Sequence, residues 1–359
     1  MKIVFRVDSS LRIGSGHMMR CLSLAKALAA TSADITFICR KLPGHGISLI
    51  TSNGFNVIPL PYSEFDAKAI EHLSTYQQWL GVTHDNEVLQ VKAALQGITE
   101  TIDWLIVDHY SLDSKWETQF KSMSRYLMVI DDLANRPHDC DLLLDQNLYQ
   151  NMQQRYKKLL PNNCTQLLGP QYALLRDEFI QLRHAAKIRK QLNRVLIFFG
   201  GIDQTNETKK AILACVQVSN IQKIDVVVGY ANPFREKIKL LAGQYSHVNY
   251  HCNIQNMAEL MATADLAIGA GGSASWERCS MGLPAVVIPI AENQVELTSV
   301  LESTGLIKKM DALQEQTLIG YLQFLTTNLP ELEAMSKKCF DIVDGIGAER
   351  VVTAMRSIN

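Results

Sequence analysis

The chain contains no run approaching the roughly 20 uninterrupted apolar residues that cross a bilayer. Its first ten residues, MKIVFRVDSS, lack the long apolar core of a signal peptide. The eight cysteines are scattered, with no CxxC pair or other metal-ligand spacing. Cys39, Cys215 and Cys252 lie in apolar runs, where a reduced thiol behaves as a small hydrophobe. Excess charge is also missing: 35 basic residues face 36 acidic ones, a formal net charge of −1. That balance gives no global attraction to nucleic acid or to an anionic membrane, so any anion site must be local. The expectation is a soluble, cytoplasmic, monomeric protein with no nucleic-acid or membrane partner, no disulfide, no metal and no cofactor.

What is present is an ordinary globular composition, 47% hydrophobic and 20% charged, over 359 residues. That length exceeds one typical core and predicts two domains. Short apolar runs read as strands: KIVFRV (2–7), DITFICR (34–40), NVIPL (56–60), WLIVDHY (104–110), YLMVIDD (126–132) and DLLLDQN (141–147). Between the first two, Cys21, Leu24, Ala25 and Leu28 recur at the spacing of an amphipathic helix. A second series comprises RVLIFFGG (194–201), KIDVVVG (223–229), ADLAIGAGG (264–272) and PAVVIPI (284–290). This alternation predicts an α/β protein with two Rossmann-like domains, each a parallel sheet covered by helices. The expected boundaries are 1–165 for a first domain with a catalytic loop, 166–193 for a helical connection, and 194–345 for a nucleotide-binding second domain. A last helix, 346–359, is expected to return to the first. In the connection, Arg183, Lys187, Arg189, Lys190 and Arg194 read as a solvated face.

Ligands of such folds bind beyond the carboxyl ends of the strands, in a cleft between facing domains. Asp8, His109, Tyr110, Asp131, Asp132, Gly200, Gly201, Gly271 and Gly272 all fall at strand ends. The loop GSGHMMR (14–20) is an incomplete dinucleotide fingerprint, since Met19 stands where the third glycine belongs. Strand 34–40 ends in Cys39 and Arg40 rather than in a ribose-binding acid. Gly14 and Gly16 permit close ligand approach. His17, at the start of a helix, is disfavoured as imidazolium and suited to accept a proton from water. A histidine that merely caps the helix is the bland reading of the loop taken alone.

The stretch GAGGSASWERCSMGLPAVVIPIAENQ (269–294) carries more information. Amides around Gly271, Gly272 and Ser273 open a helix and suit a pyrophosphate. Glu277, one turn on, presents a carboxylate that can accept both hydrogen bonds of a ribose diol. The strand at 284–290 then delivers Glu292, Asn293 and Gln294. Together these predict a sugar-nucleotide site, with Gly201 as a second small loop near the phosphates and Asp203 beside it. Tyr110 could donate to a sugar oxygen or to the departing phosphate. Asp131 and Asp132, adjacent in a strand, point to opposite faces, so a shared metal is not expected and one of them is structural.

FRVDSSLRIGSGHMMRCLSLA, WLIVDHY, IDD, GPQYALLRDEF, FFGGIDQTN and GAGGSASWERCSMGLPAVVIPIAENQ, in that order over most of the chain, resemble the UDP-2,4-diacetamido-2,4,6-trideoxy-β-L-altropyranose hydrolases of pseudaminic acid biosynthesis. The Glu277 motif is shared more widely with the glycosyltransferase-B superfamily. The resemblance implies a glycosyltransferase-B architecture and water as the acceptor. It also implies inverting cleavage of the anomeric C–O bond. The family's catalytic histidine, tyrosine and asparagine match His17, Tyr110 and Asn293, and its nucleotide-binding glutamate matches Glu277. Arg6, Asp8, Gly16, Arg20, Asp132 and Gln294 are expected near the sugar. Gly201, Gly271, Gly272 and Ser273 are expected near UDP, with Arg12 or Asn293 helping to meet the leaving group's charge. Val7 stands where a serine is common, on the strand's buried face. A glycosyltransferase using a UDP-amino sugar, a hydrolysing epimerase and a non-catalytic sugar-nucleotide binder are the competing readings.

Overall fold

The computed structural model describes residues 1–98 and 100–358. They form two compact units. The first comprises Met1–Asn147, Asn151–Arg176 and the segment from Gly347 onward; the second comprises Leu148–Gln150 and Asp177–Ile346.

The strands of the first unit are β1 (Lys2–Val7), β2 (Asp34–Arg40), β3 (Asn56–Leu60), β4 (Ile102–Asp108), β5 (Ser124–Ile130), β6 (Leu142–Asp145) and β7 (Thr165–Leu168). They pair in parallel in the order β3-β2-β1-β4-β5-β6-β7. Both faces are covered, and strand parity assigns each residue to one of two cores. Ile3, Phe5 and Val7 share a core with Trp104 and Ile106, packed by Met18, Cys21, Leu24 and Leu28 of the helix Gly16–Ala29. Ala348, Val351, Val352 and Met355 of the helix Gly347–Ile358 complete that same core. Val4, Leu105 and Val107 face the opposite core with Val91 and Leu95 of the helix His84–Gln96.

The second unit holds β8 (Arg194–Phe198), β9 (Lys223–Val228), β10 (Val248–Cys252), β11 (Leu266–Ala270), β12 (Ala285–Ile288) and β13 (Ile307–Lys309). Their order is β10-β9-β8-β11-β12-β13, again all parallel. Chain order reverses between β1 and β4 in one sheet and between β8 and β11 in the other. These switch points are where doubly wound sheets bind ligands.

The stretch 166–193 is not one helical connection. Residues Thr165–Leu168 are the edge strand of the first sheet, while the helix Asp177–Leu182 belongs to the second unit. Nor are its arginines a solvated face. Lys187 and Lys190 are exposed, but Arg189 is buried and donates to the carbonyls of Ala264 (3.0 Å), Met281 (2.6 Å) and Met261 (2.8 Å). It thereby satisfies carbonyls left open at the end of the helix Met257–Thr263, where a cation is favoured. Burial lowers its pKa to about 10. Arg183 donates to the carbonyls of Ser280 and Phe340.

Candidate active site

In the first unit, β1 runs into a turn in which the Gly14 amide donates to the Ser10 carbonyl at 2.9 Å. Gly14 takes φ +78°, which explains a glycine there. The helix Gly16–Ala29 follows and places His17 and Arg20 on one face, one turn apart. That face meets β4. Trp104 and Ile106 point toward it, and by the same parity so does Asp108, the last residue of the strand.

Asp108, not among the residues expected at the site, is therefore the centre of the cluster. Its Oδ1 lies 2.6 Å from His17 Nδ1, and Arg20 grips both oxygens, Nε to Oδ2 and Nη2 to Oδ1, each at 2.7 Å. Burial opposes its ionisation, but Arg20 and His17 outweigh that and hold its pKa below the usual carboxylate range. An ionised carboxylate only accepts, so Nδ1 bears a proton, and in the neutral imidazole it is Nε2 that carries the lone pair. Arg20 Nη2 is also 3.2 Å from His17 Nδ1, but it cannot donate to a nitrogen that already bears the proton.

Arg20 Nη1 reaches Asp132 Oδ2 at 3.0 Å, and the Tyr110 hydroxyl donates to Asp132 Oδ1. Burial, with Asp132 adding to it, pushes the phenol pKa well up. Tyr110 thus remains a neutral donor, and its proton goes to Asp132. Asp131 takes the other face of β5. It pairs with Arg136 (2.8 Å) and accepts from Tyr156 (3.0 Å), away from the His17 cluster.

Arg6 and Asp8, expected at the sugar, are closed off instead. Parity puts Arg6 on the Val4 face, beneath the helix His84–Gln96. Its Nε donates to Glu87 at 2.6 Å, Glu87 also holds Arg40, and Asp8 accepts from the Arg40 amide at 2.6 Å and from Arg6 at 2.8 Å. The side chains of Arg6, Asp8 and Glu87 have no exposure at all. They form a buried charge network under the sheet, with Arg6 and Arg40 against Asp8 and Glu87, which ties β1 to β2 and the covering helix.

In the second unit, β11 ends in the loop at Gly271, Gly272 and Ser273, and the helix Ala274–Ser280 follows with Glu277 half-buried in its first turn. A Cβ on Gly271 would meet Thr298 Cγ2 at 2.3 Å, so this glycine answers to packing. Its amide donates to Gln294 Oε1 at 3.2 Å, and that same oxygen accepts from the Ile290 amide at 3.0 Å. Gln294 Oε1 therefore clasps two loops, and the Gly271 amide is engaged by it. Asn293 opens the helix Asn293–Ser303 beside it. Buried Arg278, also unforeseen, holds the loop from below through the Ala270 carbonyl and Ser275 Oγ, both at 2.9 Å. Gly201 is exposed beyond β8, while Asp203 caps the next helix through the amides of Glu207 and Thr208, each at 2.9 Å.

Among the described residues no three His, Cys, Asp or Glu side chains converge in a metal-holding group, and no helix is long and apolar enough to cross a membrane.

Residues 195–346 match the glycosyltransferase family 28 C-terminal domain. The UDP-2,4-diacetamido-2,4,6-trideoxy-β-L-altropyranose hydrolase of Campylobacter jejuni is 28% identical over 305 residues, 85% of this chain and 97% of that one. A Helicobacter pylori protein is 27% identical over 225 residues, 61% of this chain and 40% of that one. It is named pseudaminic acid cytidylyltransferase and UDP-2,4-diacetamido-2,4,6-trideoxy-β-L-altropyranose hydrolase. The crystal structure of MurG from Acinetobacter baumannii superposes with a TM-score of 0.66 at 13% identity, over 99% of both chains. The chain thus has the glycosyltransferase-B fold and is related in sequence to the UDP-2,4-diacetamido-2,4,6-trideoxy-β-L-altropyranose hydrolases.

Proposed function

We propose that this protein hydrolyses UDP-2,4-diacetamido-2,4,6-trideoxy-β-L-altropyranose to UDP and 2,4-diacetamido-2,4,6-trideoxy-L-altrose, a step toward CMP-pseudaminic acid. The observation that carries the reading is the Asp108–His17 pair, locked by Arg20. Asp108 fixes the tautomer that leaves Nε2 as the base. Nε2 takes a proton from water as the water oxygen bonds to the anomeric carbon opposite UDP. The anomeric C–O bond breaks with inversion, and the electron pair leaves on the UDP β-phosphate. Tyr110 and Asp132 border the sugar. Glu277 accepts from the ribose hydroxyls, the Gly272 and Ser273 amides meet the pyrophosphate with Gly201 nearby, and Asn293 assists the leaving group. In this reading the enzyme works as a cytoplasmic monomer and needs no metal.

The test is incubation of the purified protein with the UDP-sugar in H₂¹⁸O, followed by NMR of the sugar and mass spectrometry of UDP. The reading requires the free diacetamido sugar, unlabelled UDP, and loss of turnover in His17→Ala with UDP affinity retained. Labelled UDP would mean P–O cleavage and would sink the mechanism. Turnover only when an acceptor alcohol is supplied would favour a glycosyltransferase instead.

A further inference from the structure

Beside His17 the first unit carries aromatic side chains that the hydrolysis mechanism does not use. The segment 74–81 brings Tyr76 and Trp79 against the Tyr110 ring. Trp79 stacks on Tyr110 with centroids 5.4 Å apart and planes at 23°. Tyr76 sits edge-on to both, at 5.0 Å from Trp79 and 5.1 Å from Tyr110. His17 lies 4.5 Å from the Tyr110 ring and 6.0 Å from that of Trp79.

This wall is held in place. Gln78 Nε2 donates to the carbonyls of Glu71 (3.0 Å) and Leu73 (2.8 Å), and Gln78 Oε1 accepts from Arg12 at 3.3 Å. Ser111 Oγ donates to the Tyr76 carbonyl. Gly81, at φ +69°, ends the short helical turn, and a Cβ there would strike Leu42 Cδ2 at 2.7 Å. Tyr76 and Trp79 are nonetheless only half-buried. Trp104, Trp116 and Trp276 are instead 0 to 1% exposed in the cores. A rigid aromatic face left partly in water beside a reactive imidazole suits a ligand that brings apolar surface with it.

We infer that Trp79, braced by Tyr76, is a specificity-determining subsite for the methyl-bearing edge of the sugar. The inference rests on the proposed reaction. That substrate has three methyl groups, on its two acetamido groups and at C6, where a hexosamine such as N-acetylglucosamine carries hydroxyls at C4 and C6. Methyls against the indole face are desolvated at no polar cost, whereas a hydroxyl placed there loses its water without gaining a partner.

Two measurements decide it. In steady-state kinetics, Trp79→Ala raises KM at least tenfold for the diacetamido trideoxy sugar nucleotide, and Trp79→Phe restores most of the loss. UDP affinity, measured by calorimetry, stays as in the wild type in both variants. In fluorescence titration, the UDP-sugar changes tryptophan emission, UDP alone does not, and Trp79→Phe abolishes the change. An unchanged KM in Trp79→Ala overturns the subsite, as does an emission change that persists in Trp79→Phe. A wild-type protein that shows the Trp79-dependent emission change but no hydrolysis keeps the subsite and refutes the reaction. One that hydrolyses the substrate with Trp79 silent does the reverse.

Discussion

His17 Nδ1 and Asp108 Oδ1 lie 2.6 Å apart, and the Arg20 guanidinium bonds to both oxygens of that carboxylate. The imidazole can neither rotate nor shift its proton without breaking an ionic hydrogen bond. Its basic nitrogen is fixed before any substrate arrives.

Replacing Asp108 with asparagine keeps the shape and removes the charge. An amide can present NH₂ to Nδ1 and so stabilise the wrong tautomer. We expect kcat to fall by about 100-fold or more, the scale of general-base catalysis, with KM changed little. Initial rates over a substrate series check this; a variant with wild-type kcat would remove Asp108 from the reaction.

Glu277→Gln tests the nucleotide half. The loss of a charge-assisted hydrogen bond to a ribose diol costs about 1.5–3 kcal/mol, or about 10- to 150-fold in affinity for UDP. Calorimetric titration with UDP measures it directly. Uridine diphosphate binding at wild-type strength would move the ribose site elsewhere.

Gly271 offers a test of packing. A Cβ would lie 2.3 Å from Thr298 Cγ2 and 3.3 Å from Val287 Cγ1. Gly271→Ala is expected to destabilise by about 1–3 kcal/mol, the usual range for overpacking. Thr298→Ser deletes the offending methyl and retains the hydroxyl that donates to Gln294 O at 2.7 Å. The double variant should therefore regain most of the stability in denaturant titrations, and additive losses would show that the strain lies elsewhere.

His138 carries a pH dependence. Its Nδ1 is 2.6 Å from Glu117 and its Nε2 is 3.8 Å from Asp131. Burial disfavours the imidazolium, but the Asp131 and Glu117 carboxylates outweigh it and raise the pKa from 6.5 to about 9. A raised folded-state pKa means the contribution is complete below about pH 6.5 and is lost as pH climbs through about 9. Its ceiling is about 3 kcal/mol. Thermal melts of the wild type should fall across that window, and His138→Gln should start lower and lose less. Parallel curves for the two proteins would mean that His138 is neutral when buried.

Much of this was legible in the residues, and the limits have physical causes. Apolar runs separated by helical periodicity dictate parallel sheets, because strands buried on both faces leave no polar alternation. His17 and Glu277 stand out in the sequence because each follows a glycine-bearing turn that opens a helix. Asp108 was not singled out, though it stands in the same VDHY motif as His109 and Tyr110. Which strand face the helix Gly16–Ala29 would cover is settled by packing, and that choice turns Asp108 toward His17 and Arg6 away from it. Trp79 depends on the Gln78 hydrogen bonds, which no periodicity announces. Arg189 read as a surface charge because the carbonyls it satisfies lie about 70 to 90 residues further along the chain.

The helix Gly347–Ile358 supplies Ala348, Val351, Val352 and Met355 to the core built on β1 and its following helix. On the ribosome, the first unit's opening strands emerge early and this helix emerges late, after the whole second unit. The earlier-made sheet must therefore wait with one apolar flank uncovered while the later-made one can already close. A helix made after the whole second unit thus completes the unit that carries His17.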